Sequence, residues 1–555
     1  MAAADIIILN GRVLTMDESR PRSEAVAISG NEIALVGARD DALALRGCHT
    51  RVMDAQGGTV LPGFIEAHMH IFPGSAELET LNLTGVHGFE ALAEAIRRYA
   101  AERPDTSLLV ANAADYTILG ADERVTRSHL DRIIPDRPFA MAAPDHHTMW
   151  ANSLALERAG ILEGRDVGVG NEIVIGADGL AAGELREGEA FGPVLALADG
   201  GGRERLGLST GGEPDPAPTA SERQHDREVI KRGLRHLARN GITSFHNMDG
   251  NLYQLELLSE IEEEGALLSR ARVPFHLKNF MPLRALEKAS EMRRRFSSER
   301  LSSGFVKVFI DGVIDSWTAV MLEDYADRQG WRGEPLFSPE EFAEAAREAD
   351  RRGLQIAVHA IGDGAVRTVL DGYAAAARAN GRRDSRHRIE HIEVIHPDDI
   401  SRFRELGVIA SMQPPHPPGT MGLPLKPTVD MIGEKRWPYS YAWQTLREAG
   451  ARLVFASDWP VSDVNPLRGI HAAVTRRPWK KGLPEQRQSL IDTLASYTRE
   501  GAYAEFMEHR KGRLAPGFLA DVVVLSRDLE AIDPDEIDQV SPLVTICDGR
   551  VTFEA

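Results

Sequence analysis

The segment that decides the fold is LPGFIEAHMH, residues 61–70. Its apolar run after Pro62-Gly63 predicts a short buried strand that ends in two histidines, His68 and His70. Side chains two residues apart on a strand point to the same face, so both imidazoles face one side, with Glu66 one step below them. Because paired histidines also occur by chance, their meaning depends on which other residues end near them.

Downstream of this segment, strands alternate with helices. A capping box at Ser338-Pro339-Glu340-Glu341 predicts a helix that ends by Gly353, and apolar strands follow at residues 354–358 and 408–412. Alternation of this kind predicts an α/β fold with a parallel sheet. Short apolar strands that each end in a polar residue favour a TIM-like (β/α)8 barrel, whose functional face lies at the carboxyl ends of the strands.

The spacing of the polar strand ends is consistent with one barrel. Four more such residues follow the histidine pair: Lys307, His359, His391 and Asp458. A β/α unit takes about 30 residues; His359 and His391 lie 32 residues apart, and Asp458 follows 67 residues, or two units, later. The histidine pair then belongs to strand 1, and the other four residues belong to strands 4, 5, 6 and 8. Thr243, on strand 2, lies 173 residues after His70, which predicts an insertion of about 140 residues.

Each of these residues alone also has a structural interpretation. Lys307 could pair with Asp311 on the same strand face, because a buried ammonium without a partner is costly, and taken alone this ion pair is favoured. Burial also lowers the pKa of a lysine, whose neutral amine could instead take up CO2 as a carbamate that bridges two metal ions. A single strand histidine is usually a core residue, and Asp458 could cap a turn. Together, four imidazoles, a lysine and a carboxylate on one rim favour a metal site, and this donor set suits zinc.

Composition excludes several classes of protein. The chain has 555 residues, with 83 acidic against 64 basic side chains and a formal charge of −19, which argues against a nucleic-acid or anionic-membrane partner. No apolar run approaches the roughly 20 residues of a membrane span, and the first residues lack a basic signal-peptide region. Cys48 and Cys547 are too few for a disulfide framework or a thiolate zinc site. We expect a cytoplasmic protein with a small-molecule substrate, and a homodimer is the commonest assembly of soluble proteins.

Both ends of the chain predict short strands. Residues 6–9 precede Asn10-Gly11, a strong hairpin signal, and similar strands close the chain. Neither end is long enough to make a stable sheet alone, so we predict that both ends form one small β-sandwich. The predicted domains are this sandwich (residues 1–60 plus 508–555), the barrel (residues 61–507) and the insertion between strands 1 and 2 (residues 75–230).

The motifs together resemble the amidohydrolase superfamily. The resemblance is to its amidohydrolase-3 branch in particular, which includes YtcJ-like proteins and N-substituted formamide deformylases, and it covers nearly the whole chain. The segments that carry it are LPGFIEAHMH (61–70), VKVFIDG (306–312), VHAIGD (358–363), RIEH (388–391), ASDWP (456–460), KGRLAPG (511–517) and ADVVV (520–524). One departure is Glu66, where the family more often has aspartate.

The resemblance implies a pair of divalent metal ions, with zinc favoured. The implied ligands are His68, His70, Lys307, His359, His391 and Asp458. The histidine pair and Asp458 would hold the more buried ion, the other two histidines would hold the second, and carboxylated Lys307 would bridge the ions. The ions would share a hydroxide that acts as the nucleophile, with Asp458 as general base and then general acid. The implied reaction is hydrolysis of a carbon–nitrogen bond, other than a peptide bond, in a small amide, formamide or cyclic amide.

Candidate substrate contacts come partly from the insertion. The candidates are Asp145, His146, His147, Asp311 and His416. The first three precede a segment that resembles a pocket-lining part of the family, although this polar run could equally cap a helix at Asn152. Asp311 could bond near Lys307 or hold the leaving group. His416 could reach the rim from strand 7 or lie on the surface.

Two other functions compete with amide hydrolysis. A lactone or ester hydrolase would use the same nucleophile on another acyl carbon. A metal-binding regulatory protein without activity is the third alternative, because some relatives carry regulatory names, but the presence of every expected ligand argues against it. Deamination is disfavoured because the lysine on strand 4 indicates two metal ions, whereas deaminases of this superfamily generally use one.

Overall fold

The computed structural model describes residues 3–120, 123–144, 147–168 and 170–555. The chain divides into two compact units, the first formed by Met1–His70 with Leu234–Ala555 and the second by Ile71–Gly233. The second unit occupies the stretch where the sequence predicts an insertion. Strands and helices alternate through the first unit, so the predicted α/β class is confirmed.

Parallel strands form the centre of the first unit. Among the described residues they occupy eight positions: Phe64–Met69, Ile242–Asn247, Arg270–Arg272 with Phe275–His276, Leu301–Ser302 with Phe305–Phe309, Gln355–Ala360, Arg388–His391, Ile409–Met412 and Arg452–Phe455. Each position pairs in parallel with the next one along the chain.

The last position returns to the first. Met69 and Trp459 form a parallel bridge, the Asp458 amide donates to the His68 carbonyl at 2.9 Å, and the His70 amide donates to the Trp459 carbonyl at 2.8 Å. The carboxyl ends of positions 1 and 8 are therefore adjacent. This contact brings together residues that are almost 400 positions apart in the chain.

Helices follow most of these strands. The first of them, Ala220–Arg239, includes Leu234, where the first unit resumes after the second. The others are Leu252–Glu263, Leu286–Arg295, Pro339–Arg351, Asp363–Asn380, Ile400–Leu406, Thr428–Ile432, Trp443–Glu448, Pro466–Thr475, Leu490–Ser496 and Arg499–Ala504. The predicted capping box is present, since Ser338 Oγ accepts from the Glu341 amide and the Glu341 carboxylate accepts from the Ser338 amide. Gly407, at φ 67°, ends the helix Ile400–Leu406 in the left-handed conformation that glycine adopts without strain. None of the helices in the described part of the chain combines the length and the apolar composition of a membrane span.

Strands from both chain ends share one sheet. Its strands, in order, are Arg550–Glu554, Pro542–Cys547, Val522–Leu525, Thr59–Pro62, Arg12–Leu14 and Arg22–Ser23. A second sheet has the order Glu32–Gly37, Ala25–Ser29, Ala4–Leu9 and Arg46–Asp54, with the short helix Arg39–Leu43 beside it. Apolar side chains of both sheets, such as Ile8, Val26, Val60 and Val524, belong to one buried cluster.

The predicted hairpin at Asn10-Gly11 is wrong. The strand before this turn, Ala4–Leu9, pairs with Ala25–Ser29 and Arg46–Asp54, whereas Arg12–Leu14 pairs in the other sheet. Asn10 has the left-handed conformation of a tight turn, at φ 58°, but the turn passes the chain between sheets. A side chain on Gly11 would meet the Ala55 Cβ at 2.7 Å, so this glycine is required by a close approach.

The second unit has a sheet of its own. Its strands, in order, are Glu172–Ile175, Ala181–Arg186, Thr148–Ala151, Phe139–Ala142, Leu109–Asn112 and Leu81–Asn82. Its helices, within the described residues, are Ile71–Glu77, Phe89–Glu102, Arg127–Ile133, Ser153–Arg158, Gly188–Leu195 and Leu206–Ser209. Two buried apolar clusters, one including Ile96 and Leu130 and one including Leu156 and Val194, form its core.

A buried ion pair joins strand position 3 to the C-terminal sheet. Arg270, 3% exposed, donates to both carboxylate oxygens of Asp521 at 2.8 and 3.1 Å and to Asp548 at 2.9 Å. Removing the cation would leave the Asp521 carboxylate buried without its partner. Loss of either partner should therefore be strongly destabilising, because it leaves the other charge buried and unpaired.

We expect Arg270→Met to lower the free energy of unfolding by about 3–5 kcal/mol, the usual cost of removing one partner of a buried ion pair. Urea titration followed by circular dichroism measures the change. Arg22→Met is the matched control, because Arg22 pairs with Glu530 on the surface and should be nearly neutral. An equal loss of stability in both variants would contradict the role of burial.

Candidate metal centre

Three side chains meet at the carboxyl ends of strand positions 1 and 8. The Nε2 atoms of His68 and His70 each lie 3.2 Å from the Oδ1 atom of Asp458. All three residues are buried, and their donor atoms could hold one metal ion. The structure thus brings together the three residues that the resemblance assigns to the more buried ion.

The hydrogen bonds behind the histidines determine which nitrogen faces the cluster. His68 Nδ1 donates to Glu390 at 2.7 Å, and His70 Nδ1 donates to Asp249 at 2.9 Å. A carboxylate only accepts, so in the neutral rings Nδ1 carries the proton and Nε2 carries a lone pair. Both lone pairs face Asp458 Oδ1, which itself makes no hydrogen bond with the described residues. Three acceptors that face one another fit a cation between them.

The same cluster attracts a proton when no metal is bound. Burial opposes a charge on His70, but its contacts with Asp249 and Asp458 outweigh this and raise the pKa of His70 to about 9. The cluster therefore favours positive charge at this point, whether a proton or a metal ion supplies it.

The backbone is strained where two of the predicted ligands lie. His391 and Asp458 have φ angles of 76° and 61°, a region that residues with a side chain rarely adopt and that is typical of functional sites. Glu66 supports the turn at Asp458, because its Oε1 atom accepts from the Ser457 amide at 2.8 Å. The glutamate that departs from the family pattern therefore contacts the turn of strand position 8.

A second group of donors shares Asp458. The donor atoms of His391, His416 and Asp458 lie within 4.8 Å of one another. His391 Nδ1 is 2.9 Å from Gln413 Oε1, and the His416 ring lies nearly parallel to the His391 ring with 6.2 Å between centroids. The His416 side chain is 11% exposed. It therefore reaches the rim of the site and does not lie on the surface.

His359 lies beside this group without joining it. Its ring centroid is 4.5 Å from that of His391, and its Nε2 atom is 3.0 Å from the Gly312 carbonyl oxygen. Among the described residues, neither of the two donor groups includes His359. The service of His359 and Lys307 as ligands of a second ion stays a prediction.

The ion pair between Lys307 and Asp311 is wrong. Both Asp311 oxygens accept backbone N–H groups, from Ile361 at 3.0 Å and from Gly362 and Val320 at 2.9 Å. Lys307 is fully buried, and among the described residues its Nζ atom has no hydrogen-bond partner. Burial lowers the pKa of Lys307 to about 8, against the opposing charges of Glu390 and Asp458. A buried amine that loses its proton this readily suits the uptake of CO2.

The predicted substrate contacts remain predictions. Asp145 and His146 lie outside the described residues. His147 belongs to the second unit, where its Nδ1 atom is 2.9 Å from a Glu187 oxygen. Asn152 caps the helix Ser153–Arg158 by accepting from the Ala155 amide at 3.0 Å, so the capping interpretation of Asn152 is confirmed. Asp311 holds backbone amides with both oxygens, as described above.

Two carboxylates at the centre were missed in the sequence. Asp249 closely follows strand position 2, and Gln254 donates to its second oxygen at 2.7 Å. Glu390 directly precedes His391 in the RIEH segment. The signal for Asp249 was its place just beyond a predicted strand, like the other polar strand ends. Glu390 carried no signal, because neighbouring residues on a strand face opposite sides.

The profile of the amidohydrolase family matches residues 51–553. The chain is 30% identical over 541 residues to Protein LONG AFTER FAR-RED 3 of Arabidopsis thaliana, covering 94% of this chain and 87% of that protein. It is 25% identical over 569 residues to the N-substituted formamide deformylase of Arthrobacter pascens, covering 99% and 98%. An uncharacterized metal-dependent hydrolase from Pyrococcus furiosus is a structural neighbour, with a TM-score of 0.71, 26% identity, and coverage of 96% of this chain and 99% of that one.

The proton on His70 predicts how zinc uptake depends on pH. Below about pH 9 the metal-free protein holds this proton, which zinc must displace, so zinc affinity should rise with pH and level off above pH 9. Calorimetric titration at pH 8, in buffers that differ in ionisation enthalpy, should detect the released proton. In Asp249→Asn the pKa of His70 falls and the release at pH 8 should shrink. A zinc affinity that is constant between pH 7 and pH 9 would contradict this prediction.

Proposed function

This chain belongs to the amidohydrolase family, and from that premise we propose that it is a metal-dependent hydrolase of a carbon–nitrogen bond other than a peptide bond. The observation that carries the proposal is the convergence of His68, His70 and Asp458 on one cation-sized position. The substrate class is a small amide, formamide or cyclic amide. The similarity to an enzyme named N-substituted formamide deformylase supports this choice.

The proposal includes the finer architecture. The eight strand positions form a closed (β/α)8 barrel, which the return of position 8 to position 1 supports. Both chain ends form one β-sandwich, which their shared sheet supports. The insertion after strand 1 forms the second unit. In this arrangement the centre lies at the carboxyl ends of the strands, the usual place for catalytic residues in such barrels.

A bound divalent ion would supply Lewis acidity, lowering the pKa of a coordinated water and polarising the substrate carbonyl. Asp458 accepts a proton from the attacking water as the carbon–oxygen bond forms. It then delivers that proton to the leaving nitrogen as the carbon–nitrogen bond breaks, so that one water and one amide become a carboxylic acid and an amine. His68 and His70 keep their Nδ1 protons through their carboxylate partners and present Nε2 to the cation.

The second ion is part of the proposal as well. His359 and His391 would hold it, and Lys307 would bridge the two ions as a carbamate formed from its neutral amine and CO2. Burial of the amine, its lowered pKa and its lack of a hydrogen-bond partner among the described residues support this role. Zinc suits the imidazole and carboxylate donors. Because every expected donor is present, we favour an active hydrolase over a metal-binding regulatory protein without activity.

Asp458→Asn tests the proton transfer. Asparagine keeps an oxygen at the ligand position but cannot take up the proton, so kcat should fall by about 10²–10⁴-fold while much of the metal stays bound. Turnover of a panel of formamides and cyclic amides, together with metal content by mass spectrometry, measures both effects. Unchanged turnover would remove Asp458 from the mechanism. Matched esters and lactones in the same panel separate amide from ester hydrolysis.

Lys307→Ala tests the bridge. The variant should lose at least one of the metal ions that the wild-type protein holds after purification with zinc and bicarbonate. Lys278→Ala is the matched control, because the Nζ atoms of both lysines lie near the Phe309 ring, at 4.7 and 5.3 Å from its centre, and only Lys307 is assigned to the metal. Full metal retention in Lys307→Ala would exclude the bridging carbamate.

A further inference from the structure

A row of four buried charged side chains and one buried histidine leads away from the proposed metal ligand His68. Its members are Glu390, Arg388, His246, Glu505 and Lys511, and each side chain is at most 7% exposed. They come from strand positions 2 and 6 and from the C-terminal segment that follows the last helix. We call this row the charge relay.

The first half of the charge relay holds one carboxylate with three donors. Glu390 Oε2 accepts from His68 Nδ1 at 2.7 Å and from Arg388 Nη2 at 3.0 Å, and Oε1 accepts from Arg388 Nε at 2.8 Å. Arg388 Nη2 also donates to the Ala67 carbonyl at 2.7 Å and to Ser411 Oγ at 2.9 Å. Glu390 therefore cannot rotate without breaking a buried charged hydrogen bond.

The second half starts at the other end of the same guanidinium. Arg388 Nη1 lies 2.8 Å from His246 Nδ1, which must accept because arginine only donates. The proton of this imidazole is then on Nε2, which lies 3.3 Å from Glu505 Oε1. Lys511 Nζ lies 2.7 Å from the same oxygen and donates to Ser244 Oγ at 2.6 Å.

Opposite charges follow one another along the relay. Two carboxylates alternate with two cations, and burial lowers the pKa of His246 to about 4, which keeps the imidazole between them neutral. Arg388 is the main opposite charge beside Glu390, and Lys511 is the main one beside Glu505. Removing one member would leave the next one unpaired, at the cost of an isolated buried charge.

We propose that the charge relay is a positioning unit for the metal centre, which fixes the orientation of the His68 imidazole and sets zinc affinity from as far away as Lys511. This inference rests on the proposed metal centre. Buried ion pairs are on average no more stabilising than apolar residues of the same shape, so stability alone does not account for four buried charges in one row. Orientation of a ligand accounts for the connection of the row to His68.

The chain offers a matched control. Arg270 and Asp521 are buried to the same degree as Arg388 and Glu390 and form the same kind of two-pronged pair. Within the described residues, the side-chain hydrogen bonds of this pair lead to Asp548 and to the Glu299 carbonyl, and to no member of the metal centre or of the charge relay. A change in zinc affinity that follows from general loss of stability would therefore appear in Arg270→Met as well.

The test is the dissociation constant of Zn²⁺, measured on the full chain by competition with a chelating indicator. Glu390→Gln and Arg388→Met should each weaken zinc binding by about 10–100-fold, the usual effect of losing an outer partner of a metal ligand. Lys511→Met should weaken it by about three- to tenfold, and Lys511→Arg, which keeps the charge, should restore it. Arg270→Met should bind zinc like the wild type despite a lower melting temperature.

A double variant tests whether the members act as one unit. Glu390→Gln cuts the relay next to His68, so adding Lys511→Met to it should cause no further loss, whereas independent contributions would multiply. Glu390→Gln is nearly isosteric, and it and Lys511→Met carry the test if Arg388→Met does not fold. Melting temperatures of all variants separate unfolding from loss of the ligand.

Wild-type zinc affinity in Lys511→Met would overturn the proposal, as would an equal loss in Arg270→Met or a multiplied loss in the double variant. Wild-type zinc affinity in Glu390→Gln would also overturn it, because Glu390 is the member that contacts His68 directly. A wild-type protein that binds no zinc at all would overturn the proposed function, and this inference with it. Only that last outcome concerns the metal centre itself.

Discussion

Three hydrogen-bond acceptors that face one another are the constraint on which the rest of the site depends. Two imidazole nitrogens and one carboxylate oxygen converge because Glu390 and Asp249 hold the protons of His68 and His70 on the far side of each ring. Such an arrangement is unfavourable without a positive charge in the middle. A proton on His70, whose pKa is raised, or the proposed metal ion would each supply this positive charge.

The interior below this centre is polar, whereas the strands of a parallel sheet usually bury apolar side chains on both faces. Arg388 crosses from strand position 6 towards positions 1, 2 and 7 and reaches a partner on each. Such contacts are costly to break and contribute little net stability. They connect strand position 6 to positions 1, 2 and 7 beneath the candidate ligands.

Much of the site could be predicted from the sequence, for a physical reason. In a β/α unit the lengths of strand, helix and loops are narrowly limited. The spacing of His359, His391 and Asp458 therefore indicates how many strands separate them. Strand alternation likewise placed His68 and His70 on one face. Asn10-Gly11 shows the limit of such local signals, since a turn sequence determines the turn but not which sheet the next strand joins.

The sequence by itself determined the α/β class, the family and the strand ends at which the candidate ligands lie, because periodicity and unit length are local properties of the chain. Only the tertiary structure decided which side chains form hydrogen bonds with these candidate ligands. His68 meets Glu390 across 322 residues and His70 meets Asp249 across 179. It also separated Lys307 from Asp311 by giving the aspartate three backbone donors. Such contacts depend on strand register and on the contact between positions 1 and 8, which no local pattern encodes.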